Sequence, residues 1–118
     1  MAFFHIQMES RSLHMPVPLD IILPQPVPGG YHGPYKSLYL LHGSSECQSA
    51  WLLNSCLYRY VKHLPLAVIL PAGNNSMYVN TCAGQDYTDF LAWELPSICE
   101  DWFPISKSRD DRYICGSS

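Results

Sequence analysis

Three residues at the end of the sequence have the spacing of an activated serine. Gly116-Ser117-Ser118 directly follows a short apolar run and matches the first three positions of the G-x-S-x-G nucleophile elbow. In such an elbow the serine lies on a strained turn between a strand and a helix, and a flanking glycine avoids collisions with neighbouring backbone. The register predicts Ser118 as a nucleophile, with Ser117 at the variable position. Three residues alone also fit a polar tail or a linker.

A second pattern, His42-Gly43-Ser44-Ser45, directly follows the apolar run that ends at Leu41. A tight loop that leaves a central strand can aim backbone N–H groups into a cleft, and Gly43 permits the close approach that this needs. In acyl transfer such groups hold the negative oxygen that develops in the tetrahedral intermediate. Taken alone, the His-Gly pair also fits an ordinary turn between a strand and a helix.

The elements that would position these two patterns are continuous apolar runs. Ser37–Leu41, Leu66–Pro71 and Arg112–Cys115 show no polar alternation, which is typical of central strands covered on both faces. Helical spacing between them predicts an α/β fold with a parallel sheet and right-handed crossovers. Both patterns then lie at the carboxyl ends of parallel strands, where such sheets bind ligands.

Two helices are predicted between these strands. Ser55 is expected to cap the first, which carries Leu57, Tyr60, Val61 and Leu64 on one face. The second carries apolar residues at helical spacing over 87–102. Pro96 is expected to kink this helix or to start a new helix in its first turn.

The first 35 residues predict a hairpin and a loop. Alternating polarity at Phe4, Ile6 and Met8 indicates a half-buried strand. Pro16–Leu23 is expected to form a second, antiparallel strand that its prolines place at a sheet edge, with the turn near Leu13-His14-Met15. Dense glycine and proline then predict a loop. We therefore expect one α/β domain with three parts: residues 1–23, 24–35 and 36–118.

Composition limits the classes of function. With 118 residues, 47% hydrophobic, and a net charge of −3 without a basic cluster, the chain is predicted to fold and to bind no nucleic acid. No apolar stretch is long enough to span a membrane, and no signal peptide is expected. Five cysteines without a C-x-x-C pair predict no metal site. We expect them to be small buried residues in a reducing compartment, hence a cytoplasmic protein.

The two patterns belong to a longer series with a distinctive order and spacing. Its members are Leu38-Tyr39-Leu40-Leu41-His42-Gly43, Trp51, Tyr58-Arg59-Tyr60-Val61, Leu66–Pro71, Met77-Tyr78-Val79-Asn80, Tyr87–Leu91, Glu94-Leu95-Pro96, Phe103-Pro104 and Arg112–Ser118. This series resembles the esterase D group of α/β-hydrolases, which includes S-formylglutathione hydrolases and bacterial tributyrin esterases. The resemblance covers the chain from about residue 36 to the end, and residues 1–35 fit the family's opening strands more loosely.

The resemblance implies a role for particular residues. Ser118 matches the nucleophile, and the backbone N–H of Ser44, next to Gly43, matches one oxyanion-hole donor. Trp51 and Tyr78 match residues near the substrate pocket, and Ser45 is assigned to the same substrate-binding set. In this family the histidine at His42 supports the loop rather than acting as the base. The second oxyanion donor and the acid and base of the triad follow the serine in chain order, so none is assigned here.

Two roles are considered for the acidic residues of the second helix. Asp86, Asp89 and Glu94 could suggest paired carboxylates, but solvation of a helix surface is the expected role. The resemblance implies that Glu94 is a structural residue.

The resemblance implies a serine carboxylesterase that cleaves short-chain acyl esters or thioesters through an acyl-serine, without a cofactor. Residues 1–118 alone are expected to be inactive, because a serine without its base is a weak nucleophile. The expected partners are a small-molecule ester and the C-terminal remainder of the same protein, and a homo-oligomer is left open. Two alternatives stay open: a non-catalytic hydrolase-like domain for binding or scaffolding, and an acyltransferase of the mycolyltransferase kind.

Overall fold

The computed structural model describes residues 1–118 and has a mixed five-stranded sheet. In the sheet the strands take the order β1-β2-β4-β3-β5. β1 and β2 are antiparallel, β4 is antiparallel to β2, and β3 is parallel to both β4 and β5. The predicted α/β class is confirmed. The strands are β1 Ala2–Ser10, β2 Met15–Leu23, β3 Lys36–Leu41, β4 Leu66–Pro71 and β5 Arg112–Gly116.

The N-terminal hairpin forms as predicted, but its position in the sheet was predicted wrongly. β2 lies inside the sheet between β1 and β4, and β1 is the edge strand on that side. Pro16 and Pro18 pair with β1 and precede the ladder to β4, which runs from Leu19 to Ile22, and the Pro18 carbonyl accepts a hydrogen bond from the Ala72 N–H just past β4. Their missing N–H groups therefore lie outside the β2–β4 ladder.

The first helical region is shorter and more broken than predicted. It comprises α1 (Ala50–Asn54) and α2 (Leu57–Val61), and the residue at the N-cap of α2 is Cys56 rather than Ser55. Only Val61 of the predicted apolar face is buried in α2, while Tyr60 is 75% exposed. The chain must turn into β4 within five residues of Val61, which leaves no length for another helical turn.

The second helical region changes its winding where Pro96 requires it. α3 (Tyr87–Asp89) continues as a π-helical turn over Phe90–Glu94 and then as α4 (Leu95–Trp102). The Leu95 N–H donates to the Phe90 carbonyl five residues back, and Pro96 lies in the first turn of α4. A π turn spaces the backbone more widely, which accommodates a residue that has no N–H to donate.

Apolar residues cover both faces of the central strands. Residues 67–70 of β4 are completely buried, as the continuous apolar run predicts. β5 differs, since Tyr113 is 47% and Ile114 is 67% exposed. The prediction of cover on both faces is wrong for β5 in this chain, because no element of residues 1–118 lies beyond it in the sheet. The larger cluster consists of Met8, Leu13, Val17, Leu19, Ile21, Tyr39, Ala67, Ile69, Tyr87, Phe90, Leu95, Cys99 and Ile105.

The cysteines are mostly not buried, which corrects the prediction. Only Cys99, on α4, is buried, and the other four are exposed free thiols. Cys47, Cys56 and Cys82 lie in connecting segments, and Cys115 lies on the edge strand β5. None of the helices combines the length and the hydropathy that a bilayer crossing requires.

Glu94 has the structural role that the resemblance implies, because its side chain binds the hairpin turn and is not simply a solvated charge on a helix surface. Its carboxylate accepts hydrogen bonds from the Arg11 N–H at 2.7 Å and the Ser12 N–H at 3.3 Å, and from the Ser10 hydroxyl. Partial burial acts to raise the pKa of the Glu94 carboxyl, but these donors outweigh burial and lower the pKa below 4.5. The carboxylate therefore links the π-helical turn to the turn between β1 and β2.

We expect Glu94→Gln to lower the free energy of unfolding of the full-length protein by about 1 kcal/mol at pH 7, a charge-assisted contribution reduced by partial exposure. The Glu94 carboxyl has a lower pKa in the folded protein than in the unfolded chain, so its ionised form stabilises the fold above pH 4.5. This stabilisation is lost as the pH falls through the pKa of the folded state. Denaturant unfolding between pH 7 and pH 3 should show the two proteins converging towards the acid end. A difference that is constant with pH would contradict this linkage.

Candidate active site

The two patterns found in the sequence meet at one edge of the sheet. β3 and β5 are parallel neighbours, and Leu41 pairs with Gly116 at their carboxyl ends. Beyond these strands the Ser44 N–H donates to the main-chain carbonyl of Ser118 at 3.1 Å, and the Ser44 hydroxyl lies 3.3 Å from the same oxygen. The N–H group after His42-Gly43 therefore faces the residue with the predicted nucleophilic hydroxyl.

Gly43 is required by the close approach of these two segments. A Cβ at this position would lie 3.1 Å from the Ser117 carbonyl oxygen and 3.3 Å from that of Ser118. It would also lie 3.1 Å from Glu46 Oε2. Because two of these atoms belong to the backbone, a side chain at residue 43 would push the loop away from the end of β5.

Strained backbone is concentrated around this edge. Five non-glycine residues here have a positive φ: Ser45 at +60°, Asn74 at +50°, Met77 at +55°, Tyr78 at +56° and Ser118 at +33°. Outside this region only His14, in the hairpin turn, shares the feature. Left-handed conformations cost free energy in residues with a Cβ, and they cluster at functional sites in proteins.

His42 holds the loop and uses both ring nitrogens to do so. The residue is 2% exposed, its Nδ1 lies 2.7 Å from the Gly43 carbonyl oxygen, and its Nε2 accepts a hydrogen bond from the Gly73 N–H at 2.9 Å. The proton must therefore be on Nδ1, where it is donated to Gly43. With both nitrogens engaged, His42 has no free atom with which to accept a proton from Ser118.

A cleft of about 260 Å³ opens between these segments. It is bounded by the ends of β3 and β5 and by the loop after β4. Tyr78, predicted from the sequence, contributes to this lining, and so do Asn74, Asn75 and Met77, which were not predicted. The lining residues are Leu41, His42, Gly43, Ser44, Asn74, Asn75, Met77, Tyr78, Gly116, Ser117 and Ser118.

Comparison with known proteins identifies the family of the chain. Residues 10–118 match the model of a family described as "Putative esterase". The chain belongs to this esterase family. It is 32% identical over 84 residues to an acetyl esterase of Caldicellulosiruptor saccharolyticus, a match that covers 70% of this chain and 32% of the relative.

Solved structures of serine hydrolases have the same fold as this esterase-family chain. The fluorophosphonate-binding serine hydrolase FphF of Staphylococcus aureus superposes with a TM-score of 0.88 at 32% identity, covering 98% of this chain and 46% of that one. The S-formylglutathione hydrolase FrmB of Staphylococcus aureus gives 0.84 at 32% identity and the same coverage. The chain thus spans about half the length of these hydrolases and a third of the acetyl esterase.

Two residues of the predicted substrate-binding set lie outside the cleft of this esterase-family chain. Trp51 donates its indole N–H to the Leu41 carbonyl at 3.0 Å and lines an adjoining pocket with Glu46 and Ser117. Ser45 donates its backbone N–H to Asn75 Oδ1 at 2.7 Å and does not line the cleft. Trp51 thus packs behind the loop because its one polar group is needed at the end of β3.

The residues that sequence reasoning missed follow β4. Asn74, Asn75 and Met77 leave the carboxyl end of a parallel strand, just as residues 42–45 leave β3. The general rule that places ligands at these strand ends could have indicated them. No motif marks Asn74 or Asn75, and Met77 belongs to the quoted series without a role assigned to it; the left-handed φ of Asn74 and Met77, which helps to place them, has no signal in residue type.

Proposed function

We propose that the full-length protein is a serine carboxylesterase that hydrolyses short-chain acyl esters or thioesters. The observation that carries this proposal is the approach of the Ser44 N–H to within 3.1 Å of the Ser118 carbonyl oxygen. This contact brings an oxyanion donor to the residue that bears the nucleophilic hydroxyl. The left-handed φ of Ser118 supports the proposal, because a nucleophile elbow is a strained turn.

In this mechanism Ser118 Oγ attacks the carbonyl carbon of the ester. A histidine takes the hydroxyl proton, and the Ser44 N–H, which donates to the Ser118 main-chain oxygen in this structure, exchanges that acceptor for the tetrahedral oxyanion. Collapse breaks the bond to the leaving group, which receives the proton from the histidine. Water then releases the acid from the acyl-serine by the same steps. No cofactor takes part.

The remaining parts of the machinery are proposed to follow Ser118 in the full-length protein. The relatives are about twice as long as this chain, and their fold class places the acid and base of the triad after the serine. The N–H of the residue after Ser118 would be the second oxyanion donor. In this view residues 1–118 are the first part of one hydrolase domain, and its C-terminal remainder is their partner.

Substrate class and compartment follow from smaller observations. Gly43 and Tyr78 line the cleft and are proposed to shape it around the acyl group. The relatives named acetyl esterase and S-formylglutathione hydrolase act on small acyl groups by those names. Four exposed free thiols favour a reducing compartment, so we propose the cytoplasm.

The test is covalent labelling of the full-length protein with a fluorophosphonate. We expect one adduct per chain, mapped by peptide mass spectrometry to Ser118, together with hydrolysis of p-nitrophenyl acetate. A binding or scaffolding domain would give neither result. An adduct on any other serine would overturn the assignment of Ser118 while leaving the esterase activity to be explained by another nucleophile.

A further inference from the structure

Two consecutive peptide units decide where the proposed oxyanion donor points. The unit between Gly43 and Ser44 carries the N–H that faces Ser118, and its carbonyl accepts the hydrogen bond from His42 Nδ1. The unit before it joins His42 to Gly43. Because Gly43 has no side chain, its backbone dihedral angles are less restricted than those of any other residue type. Gly43 allows the loop to approach the end of β5 closely, but its flexible backbone must then be held by contacts from other residues.

Glu46 restrains the nitrogen end of the His42–Gly43 unit. Its Oε2 accepts a hydrogen bond from the Gly43 N–H at 2.8 Å, a length typical of a donor bound to a carboxylate. The carboxylate thus reaches back three residues along the chain to this backbone N–H. The same bond turns the Gly43 N–H towards Glu46, which leaves Ser44 to provide the donor that approaches Ser118.

Tyr78 restrains the carbonyl end of the same unit. Its hydroxyl donates to the His42 carbonyl oxygen at 2.8 Å. The ring lies against Gly73, where a Cβ would come within 2.1 Å of the ring, so no other residue type fits there without displacing it. Burial raises the pKa of Tyr78 to about 12; the hydrogen bond to the His42 carbonyl opposes this rise, and the Glu46 carboxylate adds a smaller increase. The phenol therefore stays protonated and able to donate at neutral pH.

We propose that Glu46 and Tyr78 are positioning residues that hold the His42–Gly43 peptide unit from its two ends and thereby direct the Ser44 N–H at the reacting carbonyl oxygen. This inference rests on the esterase function proposed above. Glu46 does not line the cleft, and Tyr78, which does line it, acts in this role through the backbone. Loss of either contact lets the peptide unit rotate about its free end and turns the next N–H away from the oxyanion.

The test compares Glu46→Ala, Glu46→Gln and Tyr78→Phe in the full-length esterase. Misplacing a catalytic group by about 1 Å costs on the order of 100-fold in rate. We expect Glu46→Ala and Tyr78→Phe to lower kcat by about 10- to 100-fold, with KM changed by less than about threefold. Glu46→Gln should keep most of the activity, because its amide oxygen can still accept from the Gly43 N–H. The double variant Glu46→Ala/Tyr78→Phe should lose less than the product of the single losses, since both residues hold one unit.

Matched controls are Glu9→Ala and Tyr60→Phe, which alter exposed residues of the same types far from the cleft. Wild-type kcat in Glu46→Ala and Tyr78→Phe would overturn the inference, as would a Glu46→Gln variant as impaired as Glu46→Ala. A rise in KM with unchanged kcat would also overturn it, because it would indicate a substrate contact. Failure of the wild-type protein to hydrolyse esters would refute the proposed function instead, so the two failures are distinguishable.

Discussion

Replacing Ser118 with alanine should lower kcat for p-nitrophenyl acetate in the full-length protein by about 10⁶-fold, the loss typical of removing a serine nucleophile. The oxyanion donor at Ser44 would remain, so a small activity above the reaction in water is expected to persist. The measurement is steady-state hydrolysis combined with fluorophosphonate labelling, which should disappear.

Two serine variants test whether this loss is specific. Ser117→Ala should still be labelled by the fluorophosphonate, because the adjacent hydroxyl does not occupy the elbow position. Ser97→Ala removes an exposed hydroxyl on α4 and should retain wild-type kcat. If Ser118→Ala kept more than about 1% of the activity, Ser118 would not be the nucleophile, because a remaining triad without its serine does not sustain such a rate.

The second large effect is expected for Gly43→Ala. The added methyl group would lie 3.1 Å from the Ser117 carbonyl oxygen and 3.3 Å from that of Ser118, so the loop must move away from the end of β5. Loss of one oxyanion donor costs about 100- to 1,000-fold in kcat, and we expect kcat/KM to fall by a similar factor. Fluorophosphonate labelling should slow in parallel, because it passes through a similar transition state.

Gly29→Ala is the control for this substitution. Gly29 has a φ of +76° with open space around it, so an added Cβ costs about 1 kcal/mol of stability through the backbone alone. It lies in the loop before β3, outside the cleft, and should leave kcat unchanged. Gly43→Ala with wild-type kcat would show that the loop tolerates displacement and that Ser44 does not provide the oxyanion donor.

The strands could be predicted from the sequence because their signal is local. The apolar runs at Ser37–Leu41 and Leu66–Pro71 lie within the observed bounds of β3 and β4, since a strand buried on both faces needs side chains of one kind at consecutive positions. Helical periodicity failed at residues 55–64, where Tyr60 and Leu64 are exposed. A short connection to β4 overrode the pattern there.

Long-range contacts of polar groups had no local signal. Helical periodicity alone predicts that Glu94 is a solvated charge on a helix surface. In the structure its carboxylate accepts hydrogen bonds from residues that lie 82 to 84 positions earlier in the chain. Glu46 likewise carries no motif. Its role becomes visible only when its distance to the Gly43 N–H is known.

Sequence alone determined the order of elements and the pair of loops expected to meet. His42–Ser45 and Gly116–Ser118 each follow a predicted parallel strand, and carboxyl ends of parallel strands lie at the same edge of a sheet. Tertiary structure decided which strands are neighbours, which donor faces Ser118, and that Trp51 packs behind the loop rather than in the cleft. The reason is physical: periodicity records only which residues are buried, whereas hydrogen-bond geometry depends on how distant segments are brought together.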